Sequence, residues 1–146
     1  MNQSEILAKL PYSKPFLFVD ELVSISEDGI EGVYIFKPSE FYYEGHFKDR
    51  PVTPGVILTE CMAQIGVVCL GIFLLKNEPI EELQIALSSH QIDFYKPVFP
   101  KEKMTVVSEK VYFRFQKLKC SVKMLNEQNE LVAKGTISGM INHTSH

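Results

Sequence analysis

The chain has 146 residues, 45% hydrophobic and 23% charged, with 15 basic and 18 acidic side chains for a formal charge of −3. That length and apolar content predict a single domain, residues 1–146, with a full core. The charge balance argues against a general nucleic-acid binder, and the hydrophobicity against a disordered chain. Taken in chain order, QSEILAK (3–9) predicts a short amphipathic helix capped by Ser4 and ended near Pro11. FLFVDELVSIS (16–26) and GVYIFK (32–37) read as strands, with Asp28-Gly29 between them as a hairpin signal. Residues 38–55 read as a long irregular stretch rich in Pro and Gly around Phe41, Tyr42, Tyr43 and Phe47, a length that usually marks function. Thr53 is placed to cap the next helix, with Pro54 in its first turn, Val56 to Leu75 as its apolar run, and Asn77 and Pro79 as its stop. At about 33 Å, and apolar on every side, such a helix must be wrapped by other structure. Glu60 and Gln64 interrupt it, spaced i, i+4 on one face. The remainder reads as antiparallel strands, LQIALSSHQIDFY (83–95), MTVVSEKVYFRF (104–115), CSVKML (120–125) and LVAKGTISGMI (131–141). Turns are expected at Pro97–Lys103, Gln116–Lys119 and Asn126–Asn129. Together this is an α+β pattern, with the sheet curling round one central helix.

Cys61, Cys69 and Cys120 form no CxxC pair and have no histidines at zinc-finger spacing, so no metal site is expected. Cys61 and Cys69 lie roughly 12 Å apart along one helix, too far for a disulfide. They read as buried small hydrophobes in a reducing compartment. The N-terminus lacks a signal-peptide pattern, and the uninterrupted run Ile65 to Leu75 is shorter than the roughly 20 residues a bilayer requires. A cytoplasmic protein without a membrane or nucleic-acid partner is the expectation.

The chemistry concentrates in GHFKDRPVTPGVILTECMAQ (45–64). His46 lies in a Gly/Pro-rich loop and Glu60 fourteen residues later, on the apolar helix. A carboxyl in apolar surroundings resists ionisation, and histidine titrates near neutrality. One group of such a pair can remove a carbon-bound proton while the other protonates a leaving oxygen. Gly55, at the helix N-terminus, offers a bare N–H at the positive end of the dipole, suited to a carbonyl that gains negative charge. Spacing alone leaves open whether His46 is an ordinary loop histidine and Glu60 a carboxyl paired with some other group.

The resemblance to a known family narrows these readings. LPYSKPFLFVD (10–20), GHFKDRPVTPG (45–55), ECMAQ (60–64) and FYKPVFPKEKM (94–104) resemble, in order, four segments of the beta-hydroxyacyl-acyl-carrier-protein dehydratases of bacterial type II fatty-acid synthesis, a hotdog-fold family. The similarity covers essentially the whole chain. It implies that His46 takes the C2 proton of a beta-hydroxyacyl thioester and that Glu60 protonates the departing C3 hydroxyl, giving a trans-2-enoyl thioester and water. It implies that the Gly55 N–H holds the thioester carbonyl, that Gln64 orients the site, and that Phe47 and Val56 contact substrate. Val56, Ile57, Ile65 and Val68 are candidate walls of an acyl tunnel, although each reads equally well as plain core. The resemblance further implies no cofactor or metal, an acyl-carrier protein as partner, and a homodimer with active sites shared between subunits, tripled into a hexamer in some members. Glu rather than Asp at position 60 favours pure dehydratases over relatives that also isomerise the double bond.

Three departures from the pattern are Tyr12-Ser13 for His-Arg, Lys48 for Pro and Lys101-Glu102 for Gly-Asp. They leave the catalytic groups in place and bear on acyl preference, including service in a specialised lipid or polyene pathway. Two alternatives share the fold, an acyl thioesterase and a non-catalytic acyl-binding module. The charge is unevenly spread: residues 1–93 sum to −8, 94–124 to +6 and 125–146 to −1. The basic segment can steer an acidic carrier, or can be the wet side of amphipathic strands.

Overall fold

A computed structural model describes residues 1–78 and 82–144. A short helix α1 (Gln3–Ala8) precedes strands β1 (Glu21–Ser26) and β2 (Gly29–Ile35). The long helix α2 (Gly55–Leu74) follows, and then β3 (Glu82–Phe94), β4 (Lys103–Arg114), β5 (Lys117–Leu125) and β6 (Leu131–Thr144). The six strands form one antiparallel sheet in the order β1-β2-β4-β5-β6-β3. The middle of α2 packs against β2, β4, β5 and β6. This is the expected α+β hotdog architecture.

Alternation explains the wrapping. Along β5, Leu118, Cys120, Val122 and Met124 are buried while the residues between them are not, so one face of the strand lies on the helix. The helix answers with Ile65, Val67, Val68, Cys69, Leu70 and Ile72, all nearly inaccessible. By length and mean hydropathy α2 could cross a membrane, but here it is the core of the domain, 83% buried along its apolar window. Its middle, Gln64–Cys69, is π-helical. There the Ser108 hydroxyl of β4 donates to the Gly66 carbonyl at 2.9 Å, taking an acceptor that the widened turn leaves outside the regular ladder. Gly66 permits this approach, because a Cβ on it would lie 3.1 Å from the Ser108 Cβ.

Several expectations are corrected. Asn2, not Ser4, caps α1, in a reciprocal capping box with Glu5. Residues 16–20 are not strand, because the Phe18 N–H bonds the Gln64 side chain at 2.8 Å instead of a neighbouring strand. Thr53 does not cap α2; its hydroxyl meets Tyr43 Oη at 2.5 Å, and extended Pro54 occupies the cap position. The turn expected over Gln116–Lys119 is the two-residue loop Phe115-Gln116, so Lys117 and Lys119 belong to β5. Both loop residues have positive φ, 52° and 63°, the geometry of a type I′ turn built here without the usual Gly or Asn. Asn77 falls where α2 has ended, whereas the stop assigned to Pro79 and the C-terminal His146 lie outside the described residues.

Candidate active site

Residues 38–55 form a braced loop rather than a slack one. Tyr42 and Tyr43 are buried, and the Tyr42 hydroxyl donates to Glu40 at 2.6 Å. Glu40 also accepts from the Tyr34 hydroxyl and the Lys37 N–H, and its charge together with burial pushes both phenols well above their usual range. No sequence pattern marks Glu40, because its three donors come together only in the fold. Beyond this brace the His46 N–H bonds the Tyr42 carbonyl at 3.1 Å, and the Val52 N–H bonds the His46 carbonyl at 2.8 Å. Thr53 N–H then bonds Val98, tying the loop to the β3–β4 connection.

His46 is therefore fixed from both sides. Its Nδ1 lies 2.9 Å from the Val52 carbonyl, an acceptor, so Nδ1 is the donor and the lone pair of the neutral ring falls on Nε2. Phe47 stacks on the imidazole at 4.1 Å between centroids and is itself 59% exposed.

Glu60 lies half-buried one turn before the π segment. Burial pushes its carboxyl up from the ordinary range, and a hydrogen bond from Gln64 Nε2 at 2.9 Å opposes part of that shift. Gln64 is wholly inaccessible and fully used: its Oε1 accepts from Phe18 N–H at 2.8 Å, and its Nε2 also donates to the Phe16 carbonyl at 3.1 Å. Gln64 thus holds both Glu60 and the 16–18 segment and has no accessible surface of its own.

A cavity of about 200 Å³ opens beside Glu60, walled by Tyr12 and Phe16, by Val67 and Val68 of α2, and by Ile85 and Leu87 of β3. Of the four expected tunnel walls only Val68 lines it. Ile57 and Ile65 are packed core, and Val56 is 76% exposed, the one strongly exposed apolar side chain on α2. Gly55 begins α2, where its N–H has no intrahelical acceptor. It lines a separate open groove of about 420 Å³ with Leu58, Phe94 and Tyr95, and a Cβ there would sit 3.2 Å from the Phe94 ring. His46, Phe47, Gly55 and Val56 line no part of the Glu60 cavity, so one chain does not close the predicted constellation on itself. Tyr12 is the wall residue that sequence reading noticed only as a departure from a motif.

Among the described residues no group of His, Cys, Asp and Glu is arranged to hold a metal ion. The three cysteines are free and buried, and burial holds the Cys69 thiol at about 12 and Cys120 at about 11, so neither is a nucleophile.

A curled antiparallel sheet wrapped round one buried helix is the architecture of the hotdog class of folds. The fold alone does not separate activities: a dehydratase heterocomplex, ApeI:P from Xenorhabdus doucetiae, superposes with TM-score 0.80 over 95% of this chain and 91% of that one at 10% identity. A hypothetical thioesterase from Streptococcus pneumoniae superposes with TM-score 0.62, covering 86% and 88%, at 16% identity. Sequence decides between them. Residues 10–141 match the FabA-like domain, and the chain belongs to that family. It is 34% identical to the 3-hydroxyacyl-[acyl-carrier-protein] dehydratase FabZ of Sinorhizobium medicae over 94% of this chain and 87% of that one. The enzyme of the same name from Lactococcus lactis is 30% identical over 94% and 93%.

Proposed function

We propose that the protein is a beta-hydroxyacyl-acyl-carrier-protein dehydratase, a hydro-lyase of fatty-acid or related acyl synthesis in the cytoplasm, with His46 as base and Glu60 as acid. The observation that carries this reading is Glu60 itself, a carboxyl whose pKa burial raises and which Gln64 holds at the wall of an apolar cavity in a FabA-like chain. Nε2 of His46 removes a proton from C2, and the electrons of that bond form the C2–C3 double bond. The C3–O bond breaks as Glu60 delivers its proton to the departing oxygen, which leaves as water. The Gly55 N–H, at the positive end of the α2 dipole, holds the thioester oxygen as charge builds on it. Val52 fixes the base tautomer, and Phe47 supports the ring face. Protons are the only currency, so the reaction as written calls for no cofactor.

The base reaches the acid from a second copy of the chain. Three features support a shared site. His46 lies outside the cavity of its own Glu60. Val56 and Phe47 expose apolar surface beside the two catalytic groups. β3 is an edge strand of 13 residues whose Ala86 to Gln91 are exposed on both faces, an unpaired ladder suited to a second copy. A homodimer with two such sites is the minimal unit, and a hexamer is three of these.

The carrier docks at the β4–β5 hairpin. Arg114 stands opposite Lys117, and Tyr112 opposite Lys119, giving three cations on one face with no carboxylate across from them. Elsewhere in the basic segment Lys96 pairs with Glu130 at 3.3 Å. The unpaired cations suit an acidic carrier protein.

Purified protein supplied with a hydroxyacyl carrier thioester should form enoyl product, and His46→Ala and Glu60→Gln should each abolish turnover. Mixing and re-annealing the two dead variants should restore about a quarter of wild-type activity, since half the dimers are mixed and each rebuilds one of two sites. Free thiol release without enoyl product would instead establish a thioesterase, and full activity in either variant would remove the assigned roles.

A further inference from the structure

The cavity beside Glu60 is apolar apart from two groups, the carboxyl itself and the phenol of Tyr12. Tyr12 is half-buried, and its hydroxyl has no hydrogen-bond partner among the described residues. Its position is fixed by the backbone rather than by that hydroxyl. The Phe16 N–H closes a turn onto the Ser13 carbonyl at 2.8 Å. Gln64 clamps the Phe16 carbonyl and the Phe18 N–H from within α2, and the Tyr12 and Phe16 rings meet tilted at 6.5 Å between centroids. The phenol lies near enough to Glu60 and Cys69 to feel both, which puts it alongside the helix and not in open solvent.

A polar donor held in an apolar cavity without a partner points to a polar atom on the ligand. In the dehydration assigned above, the ligand atom adjacent to Glu60 is the oxygen on C3. We infer that Tyr12 is a substrate-binding residue of this site, donating a hydrogen bond from its hydroxyl to the C3 oxygen and so presenting that oxygen to Glu60. The inference rests on the dehydratase reading for the identity of the ligand atom. No proton passes through Tyr12: burial and the neighbouring carboxylate hold the phenol at about 12, so it keeps its proton at every working pH and serves only as a donor. Where the family pattern has a histidine, a tyrosine keeps the donor and removes a charge change near neutrality.

The test measures binding without turnover. In the His46→Ala background, dissociation constants are compared for 3-hydroxybutyryl-pantetheine and butyryl-pantetheine, which differ only in the C3 hydroxyl. The expected preference for the hydroxylated thioester is about tenfold, the scale of one hydrogen bond in a sheltered site. Tyr12→Phe, which keeps the ring and removes only the hydroxyl, should cut that preference several-fold and leave the affinity for butyryl-pantetheine unchanged. Tyr12→His, which restores a donor, should recover part of it. An unaltered preference in Tyr12→Phe, an equal loss for both ligands, or no preference in the parent would each overturn the inference. Turnover by the protein with His46 and Tyr12 intact is scored separately, so a failed dehydratase reading and a failed role for Tyr12 give different results.

Discussion

Replacing Gln64 by Met keeps length and volume close to native while removing every polar contact of the most connected side chain in the site. Three hydrogen bonds go, to Phe18 N–H, Phe16 C=O and Glu60. They do not count equally. Phe18 is fully buried, so its N–H is left without water or protein as a partner, a penalty of about 1–3 kcal/mol. Phe16 is 42% exposed, so losing the bond to its carbonyl costs less than stranding the buried Phe18 N–H. The net destabilisation is about 1–3 kcal/mol, or roughly 2–12 °C in melting temperature for a domain of this size. The catalytic effect has its own sign. The Gln64 hydrogen bond lowers the Glu60 pKa against the rise caused by burial, so removing it raises that pKa further. Since the working form of Glu60 is protonated, the alkaline limb of the pH–rate profile should move to higher pH. Urea titration at fixed protein concentration and a pH series of initial rates test the two halves. A variant within 0.5 kcal/mol of wild type, or an alkaline limb moved downward, would refute the assignment of Gln64 as the clamp on Phe18 and Glu60.

Other substitutions probe the same framework. The raised Glu60 pKa means the folded state binds a proton that the unfolded state has released, so wild-type stability falls as pH rises from the ordinary carboxylate range through the Glu60 pKa. Glu60→Gln should therefore melt higher than wild type at neutral pH, with the gap narrowing on acidification; a pH-independent gap would count against burial as the cause. Lys101 has φ 78° where the family pattern has glycine, and Lys101→Gly should stabilise by about 1 kcal/mol in urea titration. A destabilised Lys101→Gly would show that some contact of the lysine outweighs that strain. Arg114→Glu with Lys117→Glu should raise KM for a carrier-linked substrate about tenfold while leaving a pantetheine-linked one unchanged, in steady-state assays at low salt. Equal effects on both substrates would place the docking surface elsewhere.

What the sequence made legible follows from which interactions are local. The apolar run from Val56 declares a wrapped helix because no other environment accepts it, and the alternation in β5 declares a half-buried strand. Motif spacing located Glu60, and its burial-raised pKa was foreseeable from its neighbours on α2. Competing long-range partners hid the rest. Thr53 looks like a cap until Tyr43 engages its hydroxyl, and 16–20 looks like strand until Gln64 takes the Phe18 N–H. The Phe115-Gln116 turn carries no signal in the sequence, because neither residue type favours positive φ. The overall charge of −3 likewise resolves only with strand register, which sets Lys134 between Asp93 and Lys123 and brings Arg114, Lys117 and Lys119 together at one hairpin.

Register and burial also explain why the acid sits where it does on α2. An ionisable group on a core helix is costly wherever the helix is fully enclosed, and from Ile65 through Ile72 it is. The first turns reach the boundary, where Val56 is exposed and Glu60 half-buried. Immediately beyond, α2 is pinned on two sides: Gln64 holds the N-terminal segment, and Gly66 takes the Ser108 hydroxyl from β4. A helix anchored in this way one turn after its acid cannot rotate to hydrate that acid. The packing that makes α2 the core therefore also holds the Glu60 pKa high, and loosening the Ser108 anchor, as in Ser108→Ala, should lower that pKa even though the two residues share no contact.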